Sequence, residues 1–216
     1  MARESLTSKK TRAKNIYSAL FCEFPNPQCE LIHSNPLELL IATILSAQCT
    51  DKKVNQVTPK LFEKYPGVED FAKAEISELE YSIKSIGLYR SKAKNIKACC
   101  EILAKKFKNV IPMSMSELTS LPGVGRKTAN VVMGNAFGLN EGIVVDTHVK
   151  RIAGLLNLSK SVTPEKIELD LIKIIPKEVW TDFSHLLILH GRKTCIARRP
   201  KCRECSIAQL CPSKNN

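Results

Sequence analysis

Apolar residues recur at three- and four-residue spacing along most of the chain, and alternating strand-like runs are nearly missing. Ile16, Leu20 and Phe24 share one face of a helix predicted over 8–24, which Pro25-Asn26-Pro27 stops. Asn35 is a predicted N-cap, with Pro36 in the first turn and Glu38 three residues on. Leu37, Leu40, Ile41, Ile44 and Leu45 then form a stripe for burial. Thr50 or Asp51 is placed to cap the next helix, 51–65, which Pro59 is expected to kink or divide. Gly87 breaks the following run, so residues 88–90 read as a short loop before a basic helix over 91–107. Helices are predicted over 114–120 and 126–137, and residues 142–145 form the only strand-like run. Asp146 or Thr147 caps a helix reaching Leu156. Thr163-Pro164 opens another, which Pro176 closes, and residues 177–190 form the last long helix. Trp180, Phe183, Leu187 and His190 are expected to point inward, with an irregular tail from Gly191. The pattern is all-α.

The stretch Ser120-Leu121-Pro122-Gly123-Val124-Gly125-Arg126-Lys127-Thr128-Ala129 organises this pattern. Pro122 ends one helix, because it cannot donate a backbone hydrogen bond and disfavours helical geometry at Leu121. Gly123 and Gly125 permit a tight turn, and a new helix starts near Arg126. The first amides of a helix lack internal partners and lie at its positive end, so a phosphate can approach them closely. Lys127 then falls in the first turn. An uncharged amine there is a Schiff-base nucleophile, and the helix end, Arg126 and partial burial are each expected to favour that form. Its plainer role is one more phosphate contact.

Charge changes this picture from a helical protein to one built for a polyanion. The 216 residues carry a formal net charge of +12, which suits nucleic acid. The distribution is uneven. Residues 84–108 hold eight Lys/Arg against one acid, and residues 192–203 hold six against none. Residues 63–80 hold six acids against two bases. No apolar run is long enough to span a membrane, and the basic first 14 residues lack the apolar segment of a secretory signal. A reducing, cytoplasmic setting is therefore expected, in which nine cysteines are not a disulfide framework.

Four of those cysteines, Cys195, Cys202, Cys205 and Cys211, follow the spacing C-x6-C-x2-C-x5-C. Structural zinc usually takes two short knuckles, and only one C-x2-C is present. A [4Fe–4S] cubane needs four thiolates and tolerates unequal loops, so the spacing favours iron–sulfur over zinc. The loop inside the cluster carries Arg198, Arg199 and Lys201, which a pinned loop would hold at a DNA backbone. Cys22, Cys29, Cys49, Cys99 and Cys100 show no ligand spacing and read mostly as buried or partly buried thiols.

The glycine hairpin with Lys127, the run Val144-Val145-Asp146-Thr147-His148-Val149 and the four-cysteine tail together resemble the endonuclease III family of helix-hairpin-helix DNA glycosylases. The likeness runs from about Asn15 to Cys211. It implies base excision repair of oxidised pyrimidines, with strand cleavage at the abasic site through a lysine Schiff base. It implies a monomer, nucleoid-associated through DNA, acting on double-stranded DNA that carries damaged pyrimidines or abasic sites.

The resemblance also implies two helical lobes with DNA between them. One is a six-helix barrel containing the hairpin, 30–140. The other is a cluster domain of 1–29 and 141–216 that holds a [4Fe–4S] cluster on the four cysteines. Lys127 and Asp146 are implied as catalytic residues. Gln48 and Leu88 are implied as wedges that fill the gap left by an extruded nucleotide. Their ordinary alternatives are an exposed loop residue and a helix-end hydrophobic cap. Leu121, Gly123, Gly125, Arg126 and His148 are implied DNA contacts; an isolated histidine is otherwise a packed or capping residue, as expected for His185 and His190.

Two rival readings remain from the residues. A mismatch adenine glycosylase would lack Lys127. A binding protein using hairpin and cluster only as a scaffold would have no need of Lys127 with Asp146.

Overall fold

The computed structural model describes residues 4–214. It is helical, with no strand among the described residues. In chain order come α1 (Leu6–Glu23), α2 (Pro36–Ser46), α3 (Asp51–Lys64), α4 (Val68–Lys73) and α5 (Ile76–Ser82). They are followed by α6 (Tyr89–Phe107), α7 (Met115–Thr119), α8 (Arg126–Phe137), α9 (Thr147–Leu155), α10 (Pro164–Leu171) and α11 (Trp180–Lys193). Short 3-10 turns lie at Lys177–Val179, Cys202–Glu204 and Ala208–Leu210. The chain divides into two compact units, Cys29–Leu139 and the pair Met1–Gln28 with Asn140–Asn216. Residues 1–3 and 215–216 lie outside the described residues.

The Cys29–Leu139 unit is built around α2. Asn35 Oδ1 accepts from the Glu38 N–H at 3.0 Å, and the Glu38 carboxylate accepts from the Ser34 N–H at 2.6 Å. A cap of this kind stabilises a helix by about 1 kcal/mol. The expected stripe is buried, and so are Leu39 and Ala42 on its other sides. A helix that is apolar all round is a central one, and α2 packs on α3, α6 and α8. Thr50 caps α3, its side chain accepting from the Lys53 N–H. Pro59 does not divide α3, which runs unbroken from Asp51 to Lys64. The proline lies on the exposed face, where the backbone carbonyl it deprives of a partner can take water. Tyr89 and Arg90, expected in a loop, are the first turn of α6 instead.

The other unit joins both ends of the chain around Ile16, Leu20, Phe183 and Leu187, with α11 packed on α1 and α9. Residues 142–145, read as strand-like, form no strand: Gly142 lies in a bend and 143–145 have no regular structure. Helix α10 ends at Leu171, earlier than Pro176, because Ile172, Ile174 and Ile175 turn back through bonds to Glu168 and Leu171 carbonyls. Phe183, Leu187 and His190 point inward as expected. Trp180 is half-buried and donates its Nε1–H to the Ile175 carbonyl at 2.9 Å. Helix α11 continues three residues past His190, so Gly191 is helical and the irregular tail begins later.

Candidate functional site

The hairpin joins α7 to α8 over an apolar base. Leu118, Leu121 and Val124 are buried, and the Val124 N–H donates to the Leu121 carbonyl at 3.1 Å to close the turn. Gly123 has φ +78°, and a Cβ there would stand 3.0 Å from Asn95 Cβ on α6. Both the left-handed backbone and the close approach therefore require glycine. Gly125 is the N-cap of α8, a helix of twelve residues, and supplies no side-chain cap to its opening turn. Arg126 and Lys127 follow directly, both exposed. The partial burial expected of Lys127 is not found, because the first turn of α8 projects beyond the apolar base. Leu121 is 2 % exposed, so its side chain is core and only its backbone can meet a ligand.

Two further loops of the same unit hold strained residues. Gln48 follows α2 with φ 54° and Leu88 precedes α6 with φ 59°. A left-handed backbone costs a non-glycine residue roughly 1–2 kcal/mol. Both side chains are exposed, Leu88 by 60 %, so neither recovers that cost by burial. The loops are neighbours: a Cβ on Gly87 would lie 3.8 Å from the Gln48 carbonyl.

In the other unit, Asp146 is the N-cap of α9, its Oδ1 accepting from the Val149 N–H at 2.8 Å. The imidazole of His148 packs against α11, and a Cβ on Gly191 would lie 2.8 Å from its Nδ1. That nitrogen is buried without a hydrogen-bond partner. His148 thus packs as well as facing out, being half-buried.

Cys195, Cys202, Cys205 and Cys211 line one cavity with Ile152, Leu156 and Ile207. Among the described residues, no three or more His, Cys, Asp or Glu side chains are grouped to hold a single metal ion. Burial pushes the Cys205 and Cys211 thiols up, and the neighbouring cysteines push them further, while the Ile207 and Ser213 amides act the other way. Arg151 Nη1–H donates to the Cys195 carbonyl at 2.6 Å. The Lys201 N–H donates to the Thr194 carbonyl at 2.9 Å, closing the loop between the first two cysteines. Arg198, Arg199 and Lys201 on that loop are exposed. His190 is buried, with Nε2 3.7 Å from Cys205 Sγ. Of the other cysteines, Cys99 and Cys100 are buried in the helical core, where burial pushes the Cys99 thiol up to about 12 and raises the Cys100 thiol as well, with Cys99 beside it acting the same way. Cys22 is exposed.

Sequence reading missed the two lysines of α6 that point inward. Lys92 donates to the Leu45 and Ala47 carbonyls at 2.9 and 2.6 Å, and Lys97 to the Ala74 carbonyl at 2.6 Å. Both fall in the basic run read as a DNA-facing surface. The α6 apolar stripe gives the only signal: Lys92 precedes Ala93 and lies four residues before Ile96, on the buried side.

Residues 41–177 match the HhH-GPD superfamily of base excision DNA repair proteins. The chain is 49 % identical over 208 residues to an endonuclease III from Synechocystis, covering 96 % of this chain and 95 % of that one. It is 48 % identical over 191 residues to one from Bacillus subtilis, covering 87 % and 86 %. A solved endonuclease III in a non-covalent complex with DNA superposes with a TM-score of 0.89 at 46 % identity, covering 95 % of this chain and 96 % of that one. The chain belongs to the HhH-GPD superfamily of base excision DNA repair proteins.

Proposed function

We propose that this member of the superfamily removes oxidised pyrimidines from double-stranded DNA and cuts the resulting abasic site through Lys127. The observation that carries the proposal is the exposed amine of Lys127 in the first turn of α8, directly after a glycine turn that supplies no side-chain cap. The same unit carries the two exposed, left-handed residues Gln48 and Leu88 on adjacent loops. Membership of a base excision DNA repair superfamily, and likeness to an endonuclease III solved in complex with DNA, support the repair role.

A base stacked in a duplex is out of reach, so the nucleotide must swing out at a cost of a few kcal/mol. Leu88 enters the stack and Gln48 meets the orphaned base. The backbone of Leu121, Gly123 and Gly125, with Arg126, grips a phosphate next to the extruded sugar. The Lys127 nitrogen gives its lone pair to C1′, and the base departs with the electrons of the glycosidic bond. The ring oxygen then leaves C1′, which produces the imine. The C2′ proton is removed, and its electrons form a C2′–C3′ double bond as the C3′–O bond breaks on the 3′ side. Asp146 supplies negative charge against the oxocarbenium-like sugar. His148, Arg198, Arg199 and Lys201 contact the DNA backbone.

Cys195, Cys202, Cys205 and Cys211 would hold a [4Fe–4S] cluster. Four soft donors around one cavity, with thiols that repel one another's charge, fit a centre carrying positive iron. When bound, the cluster serves as a structural tie. The residues 30–140 and the span 1–29 with 141–216 are proposed to act as catalytic and cluster domains.

The test is incision of duplexes that each carry one oxidised pyrimidine, one oxidised purine or a mismatched adenine. Excision confined to oxidised pyrimidines, with a 3′ unsaturated aldehyde product, is expected. Binding without turnover on all three contradicts the proposal.

A further inference from the structure

We propose that Lys92 is a positioning residue for DNA opening: it holds the Gln48 loop against the start of α6, so that Gln48 and Leu88 act as one wedge. The inference rests on the reading of those two residues as the wedge.

Helix α2 ends without a basic residue of its own in the last turn. Its final carbonyls form the negative end of the helix dipole, and a cation there is favourable. Lys92 supplies that cation from another element, reaching the Leu45 and Ala47 carbonyls from the first turn of α6. Ala47 is the C-cap residue, directly before Gln48. Leu88 is the N-cap of α6, and its carbonyl accepts from the Lys92 N–H at 3.0 Å. One residue thus bonds through its backbone to the Leu88 loop and through its side chain to the Gln48 loop. Both loops are left-handed at the residue that matters, and strained backbone persists only where its surroundings over-determine it. Lys92 is 4 % exposed, too deep to touch DNA as its basic neighbours on α6 could. Burial also lowers its affinity for a proton, yet a neutral amine still carries two hydrogens for two carbonyls.

Lys97 is the internal comparison. It caps the end of α4 at Ala74 with the same chemistry, away from either wedge loop. A lysine whose role is only structural should behave like Lys97.

The test compares Lys92→Met, Lys92→Arg and Lys97→Met in the full-length protein. Three quantities are read: single-turnover excision of an oxidised pyrimidine from a duplex, borohydride trapping on a single strand carrying a ready-made abasic site, and hydrogen exchange of residues 46–49. No base needs to be extruded in the single strand. Lys92→Met should slow duplex excision on the order of tenfold to a hundredfold, as expected for loops displaced by about an ångström. It should leave single-strand trapping within about threefold and speed exchange at 46–49. Lys92→Arg, which keeps the charge and donors, should recover part of the duplex rate. Lys97→Met should leave the ratio of the two activities and the exchange at 46–49 unchanged.

Equal losses in both activities, or unchanged exchange at 46–49 in Lys92→Met, overturn the inference. If Lys92→Met folds poorly, Lys92→Gln, with donors but no charge, carries the same comparison. Gln48→Ala and Leu88→Ala report on the wedge itself. Normal duplex excision in both overturns the wedge reading, and that failure is told apart from a failure of Lys92 by the exchange result.

Discussion

The two units solve opposite problems. In Cys29–Leu139, the residues proposed to meet DNA stand on helices that hold themselves together. Behind Lys127, Gln48 and Leu88 lies an apolar core with α2 at its centre. In the other unit, the described residues after α11 form only two short 3-10 turns. That tail buries little beyond Ile207 and is held by scattered backbone bonds. A self-sufficient scaffold can carry strained, exposed residues, because packing elsewhere offsets about 1–3 kcal/mol at each. A segment with almost no core needs a covalent or metal tie. The proposed cluster would supply that tie in the tail, where Cys195, Cys202, Cys205 and Cys211 line one cavity.

The sharpest way to break this contrast is to remove the proposed cluster. Cys205→Ala should abolish the visible absorbance of the purified protein and open residues 195–214 to protease. A tail that stays resistant without iron would erase the distinction between the units. Acid should act on the same side of the comparison. Burial lowers His185 from 6.5 to about 4, so the fold disfavours its charged form. Its contribution is complete above about pH 6.5 and is lost as pH falls toward 4, by up to ~3 kcal/mol. Chemical denaturation at pH 7 and pH 5 should show the loss, and His185→Gln should flatten it.

A smaller effect, of about 1–3 kcal/mol, is expected from Gly191→Ala. The new methyl would meet His148 Nδ1 at 2.8 Å and Ile152 Cδ1 at 2.9 Å, forcing α9 away from α11 and with it the Asp146 cap. Thermal melting and excision should fall together. Leu88→Gly sharpens the contrast from the other side. Releasing the left-handed leucine recovers about 1 kcal/mol, partly offset by the chain entropy of glycine. Melting temperature should therefore hold or rise while duplex excision falls. Loss of both would mean that Leu88 is ordinary packing.

How much of this the sequence could carry depended on the range of the forces involved. The cap at Asn35, the narrowing of two others to Thr50 or Asp51 and to Asp146 or Thr147, the opening of α10 at Thr163-Pro164 and the limits of α8 were legible, because a helix start is settled within about four residues. The inward lysines were not. Lys92 and Lys97 look like any cation on a basic helix, and only the arrival of α2 and α4 gives them carbonyls to bind. Pro59 was over-read as a helix divider because a local penalty of a few kcal/mol yields to tertiary packing, whereas α10 stops before Pro176 because Ile174 and Ile175 fold back on the Leu171 carbonyl. The strain at Gln48 and Leu88 left no local mark, since neither residue type favours a left-handed backbone. The exposure of Lys127 is likewise a property of the assembled hairpin.

The central claim is that the Lys127 amine becomes bonded to the sugar. Borohydride reduction during reaction with a duplex bearing one abasic site tests it directly, with the attached residue located by peptide mass spectrometry. The account predicts a covalent protein–DNA adduct carried on Lys127 and absent from Lys127→Ala. An adduct that survives in Lys127→Ala, or none in the native protein, would contradict it.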